Sequence, residues 1–332
     1  MPEPVSRSAA DSAVGRRVSL RHVVPDPSGS GRQQMTDVVG TLERAGEVLE
    51  VRRRDGSLAQ VAAATVVALR VVPPPPGRRG RTAAQWPVGE LEQVAALGWR
   101  AAEERWVGGM RDGWLLRASG GFTGRANSVL PVGPVPAGID EALDEVAAFY
   151  AERGLVPRFQ LPTGTEPLDD ALDARGWTAY DPVLMLVADL AALARPAGPI
   201  KRVRIDAAPD DAWVAAYHYR GGELPDGARA VLTRGESLGF ASVRDADGGV
   251  LAIARGSLDE SWLGVTAVEV APHARRQGLG TLVVVALAAW ARERAGRWAY
   301  LQVAEENAAA RSAYGRAGFA EHHRYRYRRL ET

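Results

Sequence analysis

The chain has 332 residues, 46% of them hydrophobic, with nine tryptophans and a net charge of +1. That is apolar material for two to three domains, and too little charge for a protein held to nucleic acid or a membrane by bulk electrostatics. There is no cysteine, so disulfides, thiol catalysis and thiolate metal sites are excluded, and no metal site of another kind is read from the sequence.

Residues 1–15 are polar and rich in Pro, Ser and Ala, which predicts a disordered tail, and they lack the apolar core of a signal peptide. Short β-type alternation fills 16–73: Val18-Leu20-His22, Val38 with Leu42, and Leu49 with Val51. Turn signals stand at Pro25–Gly31 and Asp55-Gly56. Five strands in so short a span predict a small β-barrel of the Src-homology-3 kind. Arg52-Arg53-Arg54 reads first as a solvated turn and second as a patch for a peptide, nucleic acid or partner. Pro73–Pro76 and the Gly/Arg run after it predict a stiff linker over 74–86.

From Pro87 the pattern is mixed α/β. Helices are predicted at Leu91–Trp106, Asp140–Arg153 and Leu168–Gly176. Strands are predicted at Trp114–Arg117, Arg125–Val132, Arg158–Leu161 and Ala179–Leu190. Further on, an apolar strand, Trp262–Ala271, runs into His273-Ala-Arg275-Arg276-Gln277-Gly278-Leu279-Gly280-Thr281 and then an apolar helix to about Ala295. A glycine-bearing loop at a helix start aims unpaired N–H groups outward at the positive end of the dipole, where an anion can approach the backbone closely. The longest apolar run, Leu282–Ala291, is too short to span a bilayer, so a soluble cytoplasmic protein is expected. A strand, Trp298–Val303, follows. Then comes a short helix from Asn307 that carries Tyr314 and ends at Gly318-Phe319.

An internal repeat is visible. Gly154, Gln160 and Gly176 recur as Gly296, Gln302 and Gly318, each 142 residues later. On that offset Tyr314 falls on Leu172 and Gly278 on Pro136, which has no N–H to donate. One anion-binding loop, in the second copy, is therefore predicted.

The loop Arg275-x-x-Gly278-x-Gly280, followed at the right separation by Asn307, Tyr314 and Gly318-Phe319, closely resembles the GNAT superfamily of acyl-CoA-dependent N-acyltransferases over about residues 200–330. With its repeat and barrel, the whole chain resembles a bacterial tandem-GNAT arrangement. The resemblance implies an α/β (α+β) fold of tandem GNAT units, with central mixed sheets flanked by helices, after a small β-barrel. A degenerate half would span 87–195 and an acetyl-CoA-binding domain 196–332. It implies acetyl-CoA as cosubstrate and a primary amine, on a small molecule or a peptide, as the acceptor that attacks the thioester directly. Neither a membrane nor a nucleic acid is expected as partner.

Residue by residue, the resemblance implies diphosphate binding by Arg275, Arg276, Gln277, Gly278, Leu279, Gly280 and Thr281. Backbone groups near Val268 and Val270 would hold the pantetheine arm. Asn307 would touch that arm, cap its own helix, or do both. Tyr314 would place its hydroxyl near the CoA sulfur, the alternative being an aromatic packed on a helix face. The general base stays open. Some family members have a glutamate on the second splayed strand where this chain has Gln302, and an amide cannot take the proton. Glu269 is the best remaining carboxylate, pointing opposite to Val268 and Val270 in a regular strand, with an ion-paired surface role as its alternative. Glu305, His218 and a water chain are further options. In Gly120–Ser128, Arg125 and Asn127 share one face if the segment is extended. They either orient the acceptor or belong to a hairpin turn with structural hydrogen bonds. The alternative to an enzyme is a non-catalytic acyl-CoA sensor or interaction protein.

Overall fold

Period-two alternation builds the first unit. Val18 and Leu20 of β1 (Arg17–Val24), Val38 and Leu42 of β2 (Gln34–Arg44), Leu49 and Val51 of β3 (Val48–Arg53), Ala59 and Val61 of β4 (Leu58–Ala62) and Val66 of β5 (Val66–Val71) share one core. The computed structural model describes residues 10, 13–24, 34–53, 57–71, 81–108, 113–134, 138–193, 200–218, 222, 224–225 and 227–330, in two units divided at Arg79/Gly80. The first is an antiparallel sheet of order β4-β3-β2-β1-β5. Ala10 and Ala13 are buried in its core, and the Gly15 N–H donates to Leu42 O at 2.8 Å. This part of the expected disordered tail is therefore packed, because small apolar residues there find a place under the sheet. Arg52 is paired bidentately with Glu43. Arg54, the turns at 25–31 and 55–56, most of the linker, and Pro136 lie outside the described residues.

The second unit starts earlier than the linker prediction allows. Ala83 and Trp86 pack beside Trp262, Trp298 and Tyr300, with Trp86 edge-on to Trp262 (5.4 Å) and Trp298 (5.1 Å). Two apolar side chains in a Pro/Arg-rich stretch are enough to anchor it. Helix α1 (Val88–Gly98) stops eight residues short of the predicted end, and β6 (Glu103–Val107) follows, paired with β7 (Trp114–Ala118). Trp99 leaves the helical conformation (φ −126°, ψ 57°), and Gly98 before it has no room for a side chain, since a Cβ would sit 2.1 Å from the Tyr300 hydroxyl. The predicted strand Arg125–Val132 reduces to β8 (Leu130–Pro131), for a reason given below.

The remaining elements are α2 (Ile139–Ala151), β9 (Arg158–Pro162), α3 (Glu166–Asp173), β10 (Trp177–Asp189), β11 (Val203–Asp206), α4 (Asp211–Ala215), α5 (Ala228–Leu232), β12 (Leu238–Arg244), β13 (Val250–Asp259), β14 (Trp262–Val270), α6 (Leu279–Arg292), β15 (Trp298–Ala304), α7 (Ala308–Ala317) and β16 (Ala320–Leu330). One sheet runs β11-β12-β13-β14-β15-β10-β16-β9, and β6-β7-β8 joins its far edge through a parallel bridge, Val129 to Phe159. Helix α6 covers one face of the second half, over Leu263, Val265, Leu301 and Val303. Helices α2 and α3 cover the matching face of the first half, over Phe159 and Leu161. Helix α1 lies on the opposite face, against Met185, Val187 and Tyr300. Among the described residues no helix is long and apolar enough to cross a membrane.

The two halves exchange their last strands. β10, from the first half, pairs with β15 of the second, and β16 returns the exchange by pairing with β9. The registers repeat residue for residue. Tyr325↔Pro162 through Arg329↔Arg158 become, 142 residues away, Val183↔Ala304 through Val187↔Tyr300. Val183 and Tyr325 are repeat equivalents (325 − 183 = 142) and pair with each other, so they mark a pseudo-two-fold axis. Ion pairs on the α3 face hold β16 in the first half. Arg328 donates to Asp169 (Nε–Oδ1 2.7 Å) and also contacts Asp173, while Arg326 contacts Asp169 as well.

On the α1 face a buried polar chain ties the halves together. Arg117 (β7) donates to Ser128 and to Gln160 Oε1 (3.0 Å). Gln160 (β9) donates to Glu92 of α1 (2.7 Å), and Glu92 meets His323 Nε2 of β16 (2.7 Å). His323 Nδ1 meets His322 Nδ1 (2.7 Å), and His322 Nε2 meets Trp86 O (2.8 Å). Trp86 O can only accept, and the two facing Nδ1 atoms need one proton between them. Closing all three contacts requires three protons on Glu92 and the two rings, one more than two neutral imidazoles carry.

Asp169 is the checkable link in the exchange. Burial pushes its carboxyl up, but hydrogen bonds from Arg328 and Arg326 outweigh this and hold it below the usual carboxylate range. Asp169→Ala should cost about 3 kcal/mol at neutral pH, because Arg328 is left buried with its main partner gone. The contribution is present above the unfolded pKa and disappears as pH falls through the lowered native one. In paired denaturant titrations the difference from wild type should therefore shrink below about pH 4; equal stability at pH 7 would contradict it.

Candidate active site

Strands β14 and β15 run parallel and pair from Trp262↔Trp298 to Val265↔Leu301, then part. A bulge makes them part. The β13–β14 register jumps between Arg255↔Thr266 and Ile253↔Glu269, and Ala267 sits at φ +51°. An extra residue bends its strand away from the partner. The outer edges stay paired, β14 to β13 up to Val270 and β15 to β10 up to Ala304. The inner edges open into a V whose walls carry backbone donors and acceptors.

At its end β14 turns through Pro272–Ala274, then Arg276 (φ +62°) and Gly278 (φ +76°), into α6. Gly278 is the N-cap, and its carbonyl takes the first helical bond, from Leu282 N–H at 2.9 Å. The N–H groups of Leu279, Gly280 and Thr281 therefore have no intrahelical acceptor, and no acidic residue occupies the first turn. Gly278 is required by its backbone conformation. Gly280 is not required by the protein: a Cβ there meets nothing closer than Val270 Cγ2, at an ordinary 3.5 Å. A bare backbone at a helix start, without an internal reason for it, fits a phosphate seated outside. Gln277 and Arg276 are exposed beside it.

The two faces of β14 divide the remaining residues. Val268 and Val270 pack into the core under α6, and Glu269 projects from the opposite face. Glu269 lines a cavity of about 480 Å³ with Ala216, His218, Ile253 and Arg275. Burial pushes its carboxyl up, against the lowering pull of His218 and Arg275. Arg275 donates through Nε to Val270 O (3.3 Å), which ties it to the Glu269 cavity as well as to the loop. Across the V, Tyr314 of α7 packs on the core and edge-on to Phe319 at 6.1 Å. Burial pushes its phenol up to about 12, and the charge of Glu269 adds to the rise. Glu269 and Tyr314 are thus brought within electrostatic reach of each other.

Other candidates have structural employment. Asn307 caps α7, its Oδ1 accepting from Ala310 N–H at 3.1 Å. Glu305 is ion-paired with Arg324. Asn127 is buried, and its amide is used up in its own loop. Oδ1 accepts from Ser119 and Gly121 N–H (2.7 and 2.9 Å), while Nδ2 donates to Phe122 O and Thr123 O (2.6 and 2.9 Å). This staple keeps residues 119–128 in a loop, so Arg125 and Asn127 do not share the face expected of an extended segment, and Asn127 is not free for an acceptor. Arg125 turns instead to β16, with Nε on the Tyr325 hydroxyl at 3.1 Å.

The two halves differ at their equivalent glutamines. Gln160 has both ends of its amide bonded, to Arg117 and Glu92. Gln302 has a buried Oε1 with no partner among the described residues. The parallel pair of the first half is a single bridge, whereas the second half has four residue pairs and then a splay. Spacing could expose the glutamine repeat, but not the pairing of α1 with β16, whose contact residues Glu92 and His323 are 231 positions apart.

A family model described as "Probable histone acetyltransferase Rv0428c C-terminal" matches residues 87–328, and another, "Rv0428c N-terminal Sm-like domain", matches 12–70. The chain is 31% identical over 320 residues to the "Probable histone acetyltransferase Rv0428c" of Mycobacterium tuberculosis, covering 95% of this chain and 94% of that one. It is 30% identical over 250 residues to the "Uncharacterized N-acetyltransferase YobR" of Bacillus subtilis, covering 72% and 98%. Among solved structures, a GCN5-related N-acetyltransferase from Kribbella flavida superposes with a TM-score of 0.56 at 19% identity, covering 74% of this chain and 95% of that one, a likeness of fold. The chain belongs to the Rv0428c family: it is a GNAT N-acetyltransferase preceded by a small Sm-like β-domain.

Proposed function

We propose that the protein moves an acetyl group from acetyl-CoA to a primary amine at one site, the splay between β14 and β15. The observation that carries this is the bare helix start at Gly278–Thr281 beside the splay of β14 and β15, with Glu269 and Tyr314 within electrostatic reach of each other. Acetyl-CoA supplies the thioester. The N–H groups of Leu279, Gly280 and Thr281, with Arg276, would hold its diphosphate. The open edge of β14 near Val268 and Val270 would bond the pantetheine amides, and an N–H there would steady the negative charge on the carbonyl oxygen during attack.

Glu269 is the proposed base. Its raised pKa makes it a better proton acceptor than a solvated glutamate. It takes a proton from the incoming ammonium, the neutral amine forms the C–N bond as the C–S bond breaks, and the second N–H proton passes to the departing thiolate, which leaves as the thiol. Tyr314 stays protonated, with its phenol near 12, so it can donate a hydrogen bond to the departing thiolate. A free thiol titrates near about 8.5, so complete proton transfer from this phenol is uphill. Stabilisation of the thiolate, not outright protonation, is then the role of Tyr314.

Three variants test the assignment. Gly280→Gln should fold as wild type, with a melting temperature within about 2 °C, because the protein has room there. It should weaken acetyl-CoA binding at least tenfold by calorimetry, since the side chain covers the helix start; unchanged affinity would remove the loop from the site. Glu269→Gln should lower kcat/KM by roughly 10²- to 10³-fold. The wild-type profile should fall on the acid side as the carboxylate is protonated, through a pKa above that of ordinary glutamates, and the variant should lack that limb. A retained limb would assign the base elsewhere. Tyr314→Phe should reduce kcat by about 10- to 100-fold with acetyl-CoA affinity preserved; lost affinity with intact kcat would make Tyr314 a packing residue.

A further inference from the structure

The α1 face carries three inward arginines, and they differ in what engages them. Arg117 donates through Nε and one terminal nitrogen to Ser128 and Gln160. Arg255 of β13 spends its guanidinium on Leu232 O (2.7 Å), Gly98 O (2.9 Å), Arg234 O (3.3 Å) and Thr266 Oγ1 (3.5 Å). Arg125 uses only Nε, on Tyr325. Among the described residues its two terminal nitrogens have no hydrogen-bond partner and no carboxylate pairs with it. The groups acting on its charge are the hydroxyls of Tyr325, Tyr327 and Tyr217. Glu92, whose charge reaches Tyr325, is already taken by Gln160 and His323. Among the described residues the guanidinium therefore keeps two donors and no carboxylate partner, an arrangement that an anion would complete.

Its position is fixed from both sides. Gly124 lies so close to Tyr327 that an added Cβ would fall 2.8 Å from the ring, and Phe122 and Ala126 pack with Trp213, Ile253, Tyr217 and the bulge residue Ala267. Tyr325 pairs with Val183, which pairs with Ala304 at the splayed end of β15. The Arg125 contact therefore lies on the Glu269 face, at a strand, β16, that runs two strand spacings, or about 10 Å, from β15.

Resting on the acyltransferase assignment for the position of the amine, we propose that Arg125 recognises a carboxylate on the acceptor. The acceptor class is then a primary amine with a carboxylate about 10 Å away, as in an extended short peptide with a free C-terminus. The two terminal nitrogens of Arg125 present the edge that a planar carboxylate bonds bidentately.

The test uses di-, tri- and tetra-alanine, each as the free acid and as the C-terminal amide, titrated calorimetrically into the full-length protein saturated with CoA. At one length the acid should bind wild type at least tenfold more tightly than the amide. The preference should vanish in Arg125→Met and survive in part in Arg125→Lys, with melting curves confirming that both variants fold. Equal affinities of acid and amide for wild type at every length, or no binding at all, would overturn the proposal, as would an acid preference that persists in Arg125→Met. Thiol release from acetyl-CoA with the same peptides separates the two assignments. An acid preference in binding without turnover keeps the carboxylate site and removes the enzymatic role. Turnover with equal acid and amide rates keeps the enzyme and removes the carboxylate site.

Discussion

The exchange of last strands about Val183 and Tyr325 is the constraint on which the second unit depends. Strand β15 forms one wall of the cleft. On its cleft side it leaves β14 after Leu301, and its straightness comes from hydrogen bonds to β10 on the other side. That support is supplied by the other half of the chain. The first half is in this sense part of the site: without β10, the strand carrying Gln302 would be a free edge. The return strand, β16, is pinned by Arg326 and Arg328 on Asp169.

Under the same strand geometry the halves have taken different chemistry. Gln160 is sealed into a polar chain from Arg117 to His322, with Glu92 of α1 at its middle. A fully satisfied buried network rigidifies and specifies one arrangement. Gln302, the same residue one repeat later, keeps an unbonded oxygen, and the strand beside it splays. The half with the satisfied amide holds shape, and the half with the unsatisfied one has the cleft.

The electrostatics of the cleft follow from burial more than from pairing. Glu269 and Tyr314 are both raised first by desolvation, and each disfavours a second negative charge nearby. His218 and Arg275 moderate the carboxylate from the cavity side. In the proposed mechanism these two groups supply the base and the hydrogen-bond donor that a proton-moving site requires.

Local pattern determined much of this protein. The glycines at 278 and 280, the Asn307–Phe319 segment and the 142-residue repeat are short-range features, and they predicted the family, the strand–loop–helix unit and the single anion-binding loop. The alternating residues 17–71 predicted the small β-domain. Only the tertiary structure decided the rest, because the deciding contacts are remote in sequence. Position 98 at the end of α1 must be glycine to clear Tyr300, a residue about 200 positions away, which helical periodicity could not reveal. Asn127 is spent on four hydrogen bonds that its own loop creates once folded, leaving Arg125 to face Tyr325 alone. Glu269 became distinguishable from Glu305 only when one lay in a cavity and the other in an ion pair with Arg324. Spacing along a chain determines which face a side chain points to; what stands opposite that face is a property of the fold.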